Sequence, residues 1–299
     1  MRLPTPLRPG ARIEIVSPAS AIVPEKLDNG VKLLESAGHR VTLGRHVFDR
    51  TDYLAGLDED RAADLMRAFL DPDVDAVFCS RGGYGCARLL PLLDLDAMAA
   101  TGKPFFGFSD ITTLHLALNR RGLATFHAPM LLTFSRQREP WVEASLLGAL
   151  RGDFATPEGA ATGTTIVGGT AKGVVTGGCL CLITDSLGTP DSIDVTGKIV
   201  VIEDVDENPH RVDAMLTHLL NTGSLDKAAG FVIGEMTGTD EREDATIGKK
   251  PWREIVMDRL TPLRKPMVID FPVGHCVAML TLPLGLEATL DADRGTLTY

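Results

Sequence analysis

Three polar side chains follow apolar, strand-like segments of this sequence: Ser109, Glu203 and His275. A serine between a strand and a helix lies on a sharp turn, which pushes its hydroxyl outward beside the unpaired N–H groups of the helix. A carboxylate at the end of a buried strand is costly without a partner, so Glu203 is well placed to orient a histidine. In the order Ser, Glu, His these residues can form a nucleophile, the group that orients the base, and the base.

A glycine-rich turn, "SRGGYG" at residues 80–85, follows another apolar strand and precedes a helical segment. Its glycines are Gly82, Gly83 and Gly85. They can present a group of backbone N–H donors to a carboxylate or an oxyanion, with Arg81 as a counter-charge. The spacing matches neither G-x-G-x-x-G nor the phosphate-binding P-loop, so it does not indicate a nucleotide. The alternative is a strand-to-helix turn that needs glycine only for a positive φ.

These segments also have ordinary interpretations. The corner "GFSD" departs from the G-x-S-x-G motif of α/β-hydrolases, because Ile111 stands where that motif has its second glycine. Ser109 can instead cap the following helix, since serine and aspartate are preferred at helix N-termini. A non-enzyme alternative therefore stays open, namely a small-ligand-binding α/β module in which this serine only caps a helix.

The first half of the chain alternates strand-like and helical segments from residue 11 onward. The strand-like segments are "ARIEIVSPAS", "HRVTLG" and "VDAVFCS", and the helical segments are "PEKLDNGVKLLESAG" and "DEDRAADLMRAFLD". This alternation predicts a parallel sheet covered by helices, which is an α/β domain of three layers.

The second half has short β-rich pieces with two helices among them, which predicts a mixed, mainly β domain. Residues 151–171 are rich in Gly, Thr and Ala and lack a helical period, so we expect them to connect two domains. The predicted organisation has three parts. An α/β domain at 1–150 carries the serine, a linker spans 151–171, and a β-rich domain at 172–299 carries the glutamate and the histidine.

The composition argues against several classes of function. With 299 residues and 44% hydrophobic content, the chain can bury one large or two medium cores. Its net charge of −10 argues against nucleic-acid binding, which normally needs a basic surface. Neither a membrane span nor a secretory signal is visible, so we expect a cytoplasmic protein without a membrane partner. Five scattered cysteines without a CxxC pair suit reduced thiols, and we expect neither a metal nor another cofactor.

Five motifs in chain order resemble those of the LD-carboxypeptidase family, which includes the muramoyltetrapeptide carboxypeptidases and their microcin-immunity relatives. The motifs are "RGGYG", "GFSDIT", "GGCLCLITDSLGTP", "IEDVDENPHRVDAML" and "DFPVGH", and the similarity spans residues 12–285. The resemblance implies a serine peptidase that removes the terminal D-alanine from a small murein tetrapeptide in the cytoplasm during cell-wall recycling. It also implies a homodimer.

The resemblance also assigns catalytic roles, motif by motif. It implies that Ser109 is the nucleophile, His275 the general base and Glu203 the residue that orients the base. The reaction would be acyl transfer, in which the serine attacks the carbonyl before a terminal D-amino acid and water then releases the acyl-enzyme.

Backbone groups complete the site that the resemblance implies. The N–H groups of Gly83 and Asp110 would form the oxyanion hole. An exopeptidase must also bind a free terminal carboxylate. Arg81 and the N–H groups of the glycine turn, including that of Gly82, are candidates for this contact.

One motif departs from the family pattern, because this chain has Gly177-Gly178-Cys179 where the family usually has Gly-Gly-Asn. If Cys179 contacts the substrate, a weakly hydrogen-bonding thiol replaces an amide there. The enzymatic alternative is hydrolysis of a peptidyl- or aminoacyl-adenylate analogue, as in the microcin-immunity branch. Neither Trp141 nor Trp252 obviously marks a loop that stacks on a base, so we favour the murein peptide.

Overall fold

Strands and helices alternate through the first half of this computed structural model, which describes residues 1–242, 246, 248 and 250–299. The strands there are β1 (Arg12–Val16), β2 (Arg40–Leu43), β3 (Ala76–Cys79), β4 (Phe105–Gly107) and β5 (Thr125–His127). The helices are α1 (Asp28–Ser36), α2 (Asp58–Leu70), α3 (Cys86–Leu89), α4 (Leu95–Thr101), α5 (Thr112–Arg120) and α6 (Pro140–Leu150). The element order therefore follows the predicted α/β alternation.

These five strands form a parallel sheet in the order β2-β1-β3-β4-β5. A further strand, β11 (Leu282–Leu284), pairs antiparallel with β5 at the edge of the sheet. The strand order reverses direction between β1 and β3. In open α/β sheets of this kind, ligands bind outside the carboxyl ends of the strands near such a reversal. The structure confirms the predicted parallel α/β fold. The carboxyl ends of its strands are therefore the expected location of a functional site.

Aromatic side chains hold the middle of this sheet together. Phe106 on β4 stacks on Phe78 of β3 and on Phe126 of β5, with ring centroids 4.2 Å and 4.5 Å apart, respectively. All three side chains are buried. Because β4 ends one residue after Phe106, this stack fixes the strand that leads directly to Ser109.

The second half of the chain contains a mixed sheet. Its strands are β6 (Thr164–Val167), β7 (Thr170–Cys179), β8 (Ile199–Val205), β9 (Gly230–Thr237), β10 (Met267–Ile269), β12 (Glu287–Asp291) and β13 (Thr296–Thr298), in the order β13-β12-β7-β8-β9-β10-β6. The central strands β7, β8, β9 and β10 are parallel, and the outer strands pair antiparallel. The helices are α7 (Leu180–Asp185), α8 (Pro209–Asn221) and α9 (Trp252–Leu260). This confirms the predicted mixed, β-rich character.

The chain divides into two units at boundaries that differ from the predicted ones. One unit contains Met1–Pro157 and Leu280–Gly285, and the other contains Glu158–Met279 and Leu286–Tyr299. Leu280–Gly285 belongs to the first unit because β11 pairs with β5. The segment at 151–171 is not only a linker, since β6 lies within it and pairs with β10. Among the described residues, no helix is both long enough and apolar enough to cross a bilayer.

We expect Phe106→Ala to lower the free energy of unfolding by about 3–5 kcal/mol, because it removes a buried ring and two stacking contacts. Phe48→Ala is the control. The Phe48 side chain is 41% exposed, and surface substitutions usually change stability by less than about 0.5 kcal/mol. Denaturant unfolding of the full chain, followed by circular dichroism, measures both variants. A loss below about 1 kcal/mol for Phe106→Ala would contradict the importance of the stack.

Candidate active site

Ser109 lies two residues after the end of β4 and begins a 3-10 turn, Ser109–Ile111, that leads into α5. Its backbone φ is +66°, which is in the left-handed region. A serine adopts this conformation rarely, at a cost of about 1–3 kcal/mol. Such strain at a strand-to-helix corner is typical of a serine whose hydroxyl is held out of the sheet edge.

The glycine turn packs directly against Ser109. A Cβ atom on Gly82 would lie 2.8 Å from Ser109 Cβ and 3.0 Å from Ser109 Oγ, so a larger residue would displace the serine. Gly83 has a φ of +120°, and a Cβ atom there would overlap the hydroxyl of Ser20. Among the hydrogen bonds of the described residues, none has the N–H of Gly83 or of Asp110 as its donor. Both N–H groups therefore remain available to a ligand.

Buried charged groups fix the far end of the glycine turn. Asp110 Oδ2 accepts a hydrogen bond from the N–H of Cys86 at 2.8 Å. Burial raises the pKa of this carboxyl group, and the bond to Cys86 partly opposes that shift. Arg61 is 1% exposed and donates to the carbonyl oxygens of Pro18 and Gly85. The turn is thus held by the segment after β1, by α2 and by the serine corner.

Arg81 takes part in the same turn. Its Nε donates to the carbonyl oxygen of Gly82 at 3.1 Å, and its Nη1 donates to that of Ala21 at 3.3 Å. The guanidinium therefore has a structural role in addition to the predicted contact with a carboxylate.

In the second unit, Glu203 on β8 lies beside His275, which is in the loop after β10. His275 donates from Nδ1 to Glu203 Oε2 at 2.7 Å, and the backbone N–H of His275 donates to the same oxygen at 3.2 Å. The Glu203 side chain is 0% exposed, and that of His275 is 17% exposed. Because the carboxylate accepts from Nδ1, it selects the tautomer whose Nε2 can act as a base.

Glycines allow the histidine loop to approach the carboxylate. Gly274 has a φ of +93°, and a Cβ atom there would overlap the carboxyl group of Glu203. On β9, a Cβ atom of Gly234 would clash with the backbone of Val273 and lie 3.0 Å from Glu203 Cβ. The pair between Glu203 and His275 therefore depends on two positions that tolerate no side chain.

Neighbouring charges shift the pKa values of these groups. Burial lowers the pKa of His275, but the charge of Glu203 and its hydrogen bond outweigh burial, and the pKa is raised above its ordinary value. Asp204, the next residue on β8, is 1% exposed. Burial, followed by the charge of Glu203, raises the pKa of Asp204 to about 6. Two adjacent buried carboxyl groups therefore oppose each other's ionisation.

Cys179 ends β7 and is the register partner of Glu203 on β8. Its Sγ lies 3.3 Å from Asp204 Oδ1 and 3.4 Å from Cys181 Sγ. The bond to Cys181, followed by burial, raises the pKa of the Cys179 thiol well above its usual range. The residue is only 2% exposed, which argues against the predicted contact between Cys179 and the substrate.

The structure brings together Glu203 with His275, although 72 positions separate them in the sequence. It also brings Gly82 against Ser109. The supporting role of Ser20, whose hydroxyl accepts from the N–H of Tyr84 at 3.2 Å, is not predicted from the sequence. A polar residue shortly after β1 is the only signal that could have suggested it.

Two family models match this chain, one in each half. Residues 13–128 match the model described as the LD-carboxypeptidase N-terminal domain, and residues 172–290 match that of the LD-carboxypeptidase C-terminal domain. The chain belongs to the LD-carboxypeptidase family. Ser109 lies within the first matched range, and both Glu203 and His275 lie within the second.

Individual carboxypeptidases resemble this chain over nearly its whole length. It is 35% identical to the "Probable murein peptide carboxypeptidase" of Bacillus subtilis, over 98% of this chain and 92% of that protein. It is 33% identical to the murein tetrapeptide carboxypeptidase of Pseudomonas aeruginosa, over 95% and 94% of the two chains. The crystal structure of muramoyltetrapeptide carboxypeptidase from Oxalobacter formigenes is similar with a TM-score of 0.84 and 29% identity, covering 96% of this chain and 97% of that one.

We expect Glu203→Gln to lower the pKa of His275. The amide keeps the size of the side chain but removes the charge, while burial continues to favour the neutral imidazole. A pH titration of the His275 ring signals by NMR measures the shift. Asp206→Asn is the matched control, because it removes a more exposed carboxylate that raises the pKa of His275 less. An unchanged or higher pKa in Glu203→Gln would show that the carboxylate does not stabilise the imidazolium.

Proposed function

We propose that this chain is a serine-type LD-carboxypeptidase that releases the terminal D-alanine from murein tetrapeptide during cell-wall recycling. The similarity to the murein tetrapeptide carboxypeptidase of Pseudomonas aeruginosa, over nearly the full length of both chains, supports the substrate. The observation that carries the chemistry is the 2.7 Å hydrogen bond from His275 Nδ1 to the buried Glu203 carboxylate. It provides an oriented base, which a serine nucleophile requires.

The proposed reaction proceeds through an acyl-enzyme. Ser109 Oγ attacks the carbonyl carbon before the terminal D-alanine, and His275 Nε2 accepts the hydroxyl proton. His275 then gives this proton to the leaving amine as the C–N bond breaks. Water attacks the ester with His275 again as the base, which releases the shortened peptide and restores the serine. Glu203 holds the ring and stabilises its protonated form throughout.

The oxyanion of each tetrahedral intermediate is assigned to the N–H groups of Gly83 and Asp110. Two observations support this assignment. The glycine turn lies against the Ser109 side chain, and neither N–H group donates to another group among the described residues. Preorganised donors of this kind contribute strongly, since removing one typically costs about 10²–10³ in kcat.

The free carboxylate of the terminal D-alanine is assigned to Arg81 and the N–H group of Gly82. The two hydrogen bonds that Arg81 makes to backbone carbonyls use Nε and Nη1. A guanidinium has five N–H donors, so these bonds leave donors for a carboxylate. Anchoring Arg81 to the turn also orders the guanidinium before the substrate binds.

We further propose that the enzyme works in the cytoplasm as a homodimer. The five scattered cysteines support a reducing compartment. The dimer rests on the family resemblance alone.

The test of the substrate compares kcat/KM for murein tetrapeptide, pentapeptide and C-terminally amidated tetrapeptide at one pH. The tetrapeptide should have the highest kcat/KM. The pentapeptide places an extra residue where the terminal carboxylate binds, and the amidated tetrapeptide has no terminal carboxylate. Unpaired buried donors can discriminate by about 10⁴-fold. Ser109→Ala is the control for the covalent mechanism. It should lose nearly all turnover with an unchanged fold.

Two results would count against this proposal, and each tests a different part of it. Comparable kcat/KM values for all three peptides would contradict recognition of the terminal carboxylate and favour the adenylate-analogue alternative. Retention of more than about a tenth of kcat by Ser109→Ala would contradict the acyl-enzyme, since the rate without a nucleophile should be orders of magnitude lower.

A further inference from the structure

Cys179, Cys181 and Asp204 bring three metal-ligating atoms together at one end of the second sheet. The two thiols come from the junction between β7 and α7, and the carboxylate comes from β8. The cysteine spacing alone predicts no metal site, because C-x-C offers only two ligands. Parallel pairing of β7 with β8 supplies the third ligand from a distant part of the sequence.

The distances between the donor atoms suit one small cation. Sγ of Cys179 lies 3.4 Å from Sγ of Cys181 and 3.3 Å from Oδ1 of Asp204. All three donor atoms lie within 4.8 Å of one another. Around tetrahedral zinc, thiolate and carboxylate ligands at their usual bond lengths are roughly 3.5–3.8 Å apart. Movements of the donor atoms by a few tenths of an ångström would therefore give them the spacing of ligands around tetrahedral zinc.

The carboxylate of Asp204 is already held in position. Its Oδ1 accepts from the N–H of Val205 at 2.8 Å, and its Oδ2 accepts from the N–H of Cys181 at 2.9 Å. Hydrogen bonds of this kind orient metal ligands in known sites. Cys181 is only partly buried, whereas Cys179 and Asp204 are buried, so a cation would enter on the Cys181 side.

We propose that Cys179 Sγ, Cys181 Sγ and Asp204 Oδ1 bind one thiophilic divalent cation of the Zn²⁺ type, with water as the fourth ligand. Each thiol loses its proton to solvent, and the lone pair of the resulting thiolate forms the bond to the metal. Two thiolates and one carboxylate offset the divalent charge to leave a net charge of −1. Soft thiolate ligands exclude Mg²⁺ and Ca²⁺, which prefer oxygen.

This site is separate from the proposed peptidase chemistry and does not depend on it. None of its three ligands has a role in the acyl transfer. Cys179 is nevertheless the register partner of Glu203, so the site lies directly beside the carboxylate that holds His275.

Titration of the reduced full-length chain with Cd²⁺ tests the proposal, because a Cd²⁺–thiolate bond gives an ultraviolet charge-transfer absorption. We expect one Cd²⁺ per chain, displaced by Zn²⁺ and unaffected by Mg²⁺. Cys181→Ser should weaken binding at least about 100-fold, since changes to groups that only support a ligand already cost about 10–100-fold. Cys276→Ser is the matched control and should bind as the wild type does.

Asp204→Asn tests the third ligand and should weaken Cd²⁺ binding at least about tenfold. Circular dichroism verifies that each variant is folded, and Cys181 is preferred to Cys179 because its partly exposed side chain tolerates replacement better. The proposal is overturned if no thiolate absorption develops, or if folded Cys181→Ser binds Cd²⁺ as tightly as the wild type. Loss of binding in Cys276→Ser alone would likewise overturn it, because the ligands would then lie in the His275 loop.

Discussion

The hydrogen bond between the buried Glu203 carboxylate and His275 Nδ1 is the interaction on which the rest of this site depends. A charge taken out of water is costly unless it is paired, so the imidazole of His275 stabilises the buried carboxylate of Glu203. The backbone around the pair allows the two groups to approach closely. Gly274 turns with a positive φ against the carboxyl group, and Gly234 on the neighbouring strand leaves room for the loop. Changing either glycine would move the histidine.

The same principle organises both units, although their sheets differ. In each unit, the candidate site residues lie at or after the carboxyl ends of parallel strands, where loops leave the sheet together. Ser109 follows β4, and the glycine turn follows β3. In the second unit Cys179 ends β7, Glu203 lies near the carboxyl end of β8, and His275 is in the loop after β10. The apolar strands provide the rigid frame, and the stack around Phe106 shows how closely that frame is tied to the serine corner.

Much of the fold can be predicted from the sequence, because the spacing of apolar residues and the local composition reveal strands and helices that bury one face. The alternation of the first half and the mixed character of the second are of this kind. The strand Leu282–Leu284 is not, since its partner in β5 lies far away in the sequence. The short strand Thr164–Val167 is also hidden, because it has only two apolar residues and lies in a stretch rich in Gly, Thr and Ala.

The candidate site shows the same limit. A serine between a strand and a helix is visible in the sequence, but its left-handed φ and its contact with Gly82 are not, since both depend on how two loops pack. The pairing of Cys179 and Cys181 with Asp204 is equally invisible, because strand register sets it. Motif resemblance places residues in chain order, and only the structure shows which side chains face one another.

The most direct test of the central claim, that Ser109 is an activated nucleophile, is covalent labelling with an aryl phosphonate followed by mass mapping of the peptides. A serine that merely caps a helix is not activated and does not react. The account predicts one phosphonate per chain, attached to Ser109, and a much slower reaction in His275→Ala. A chain that hydrolyses murein tetrapeptide yet takes up no label, or that carries the label on another residue, would contradict it.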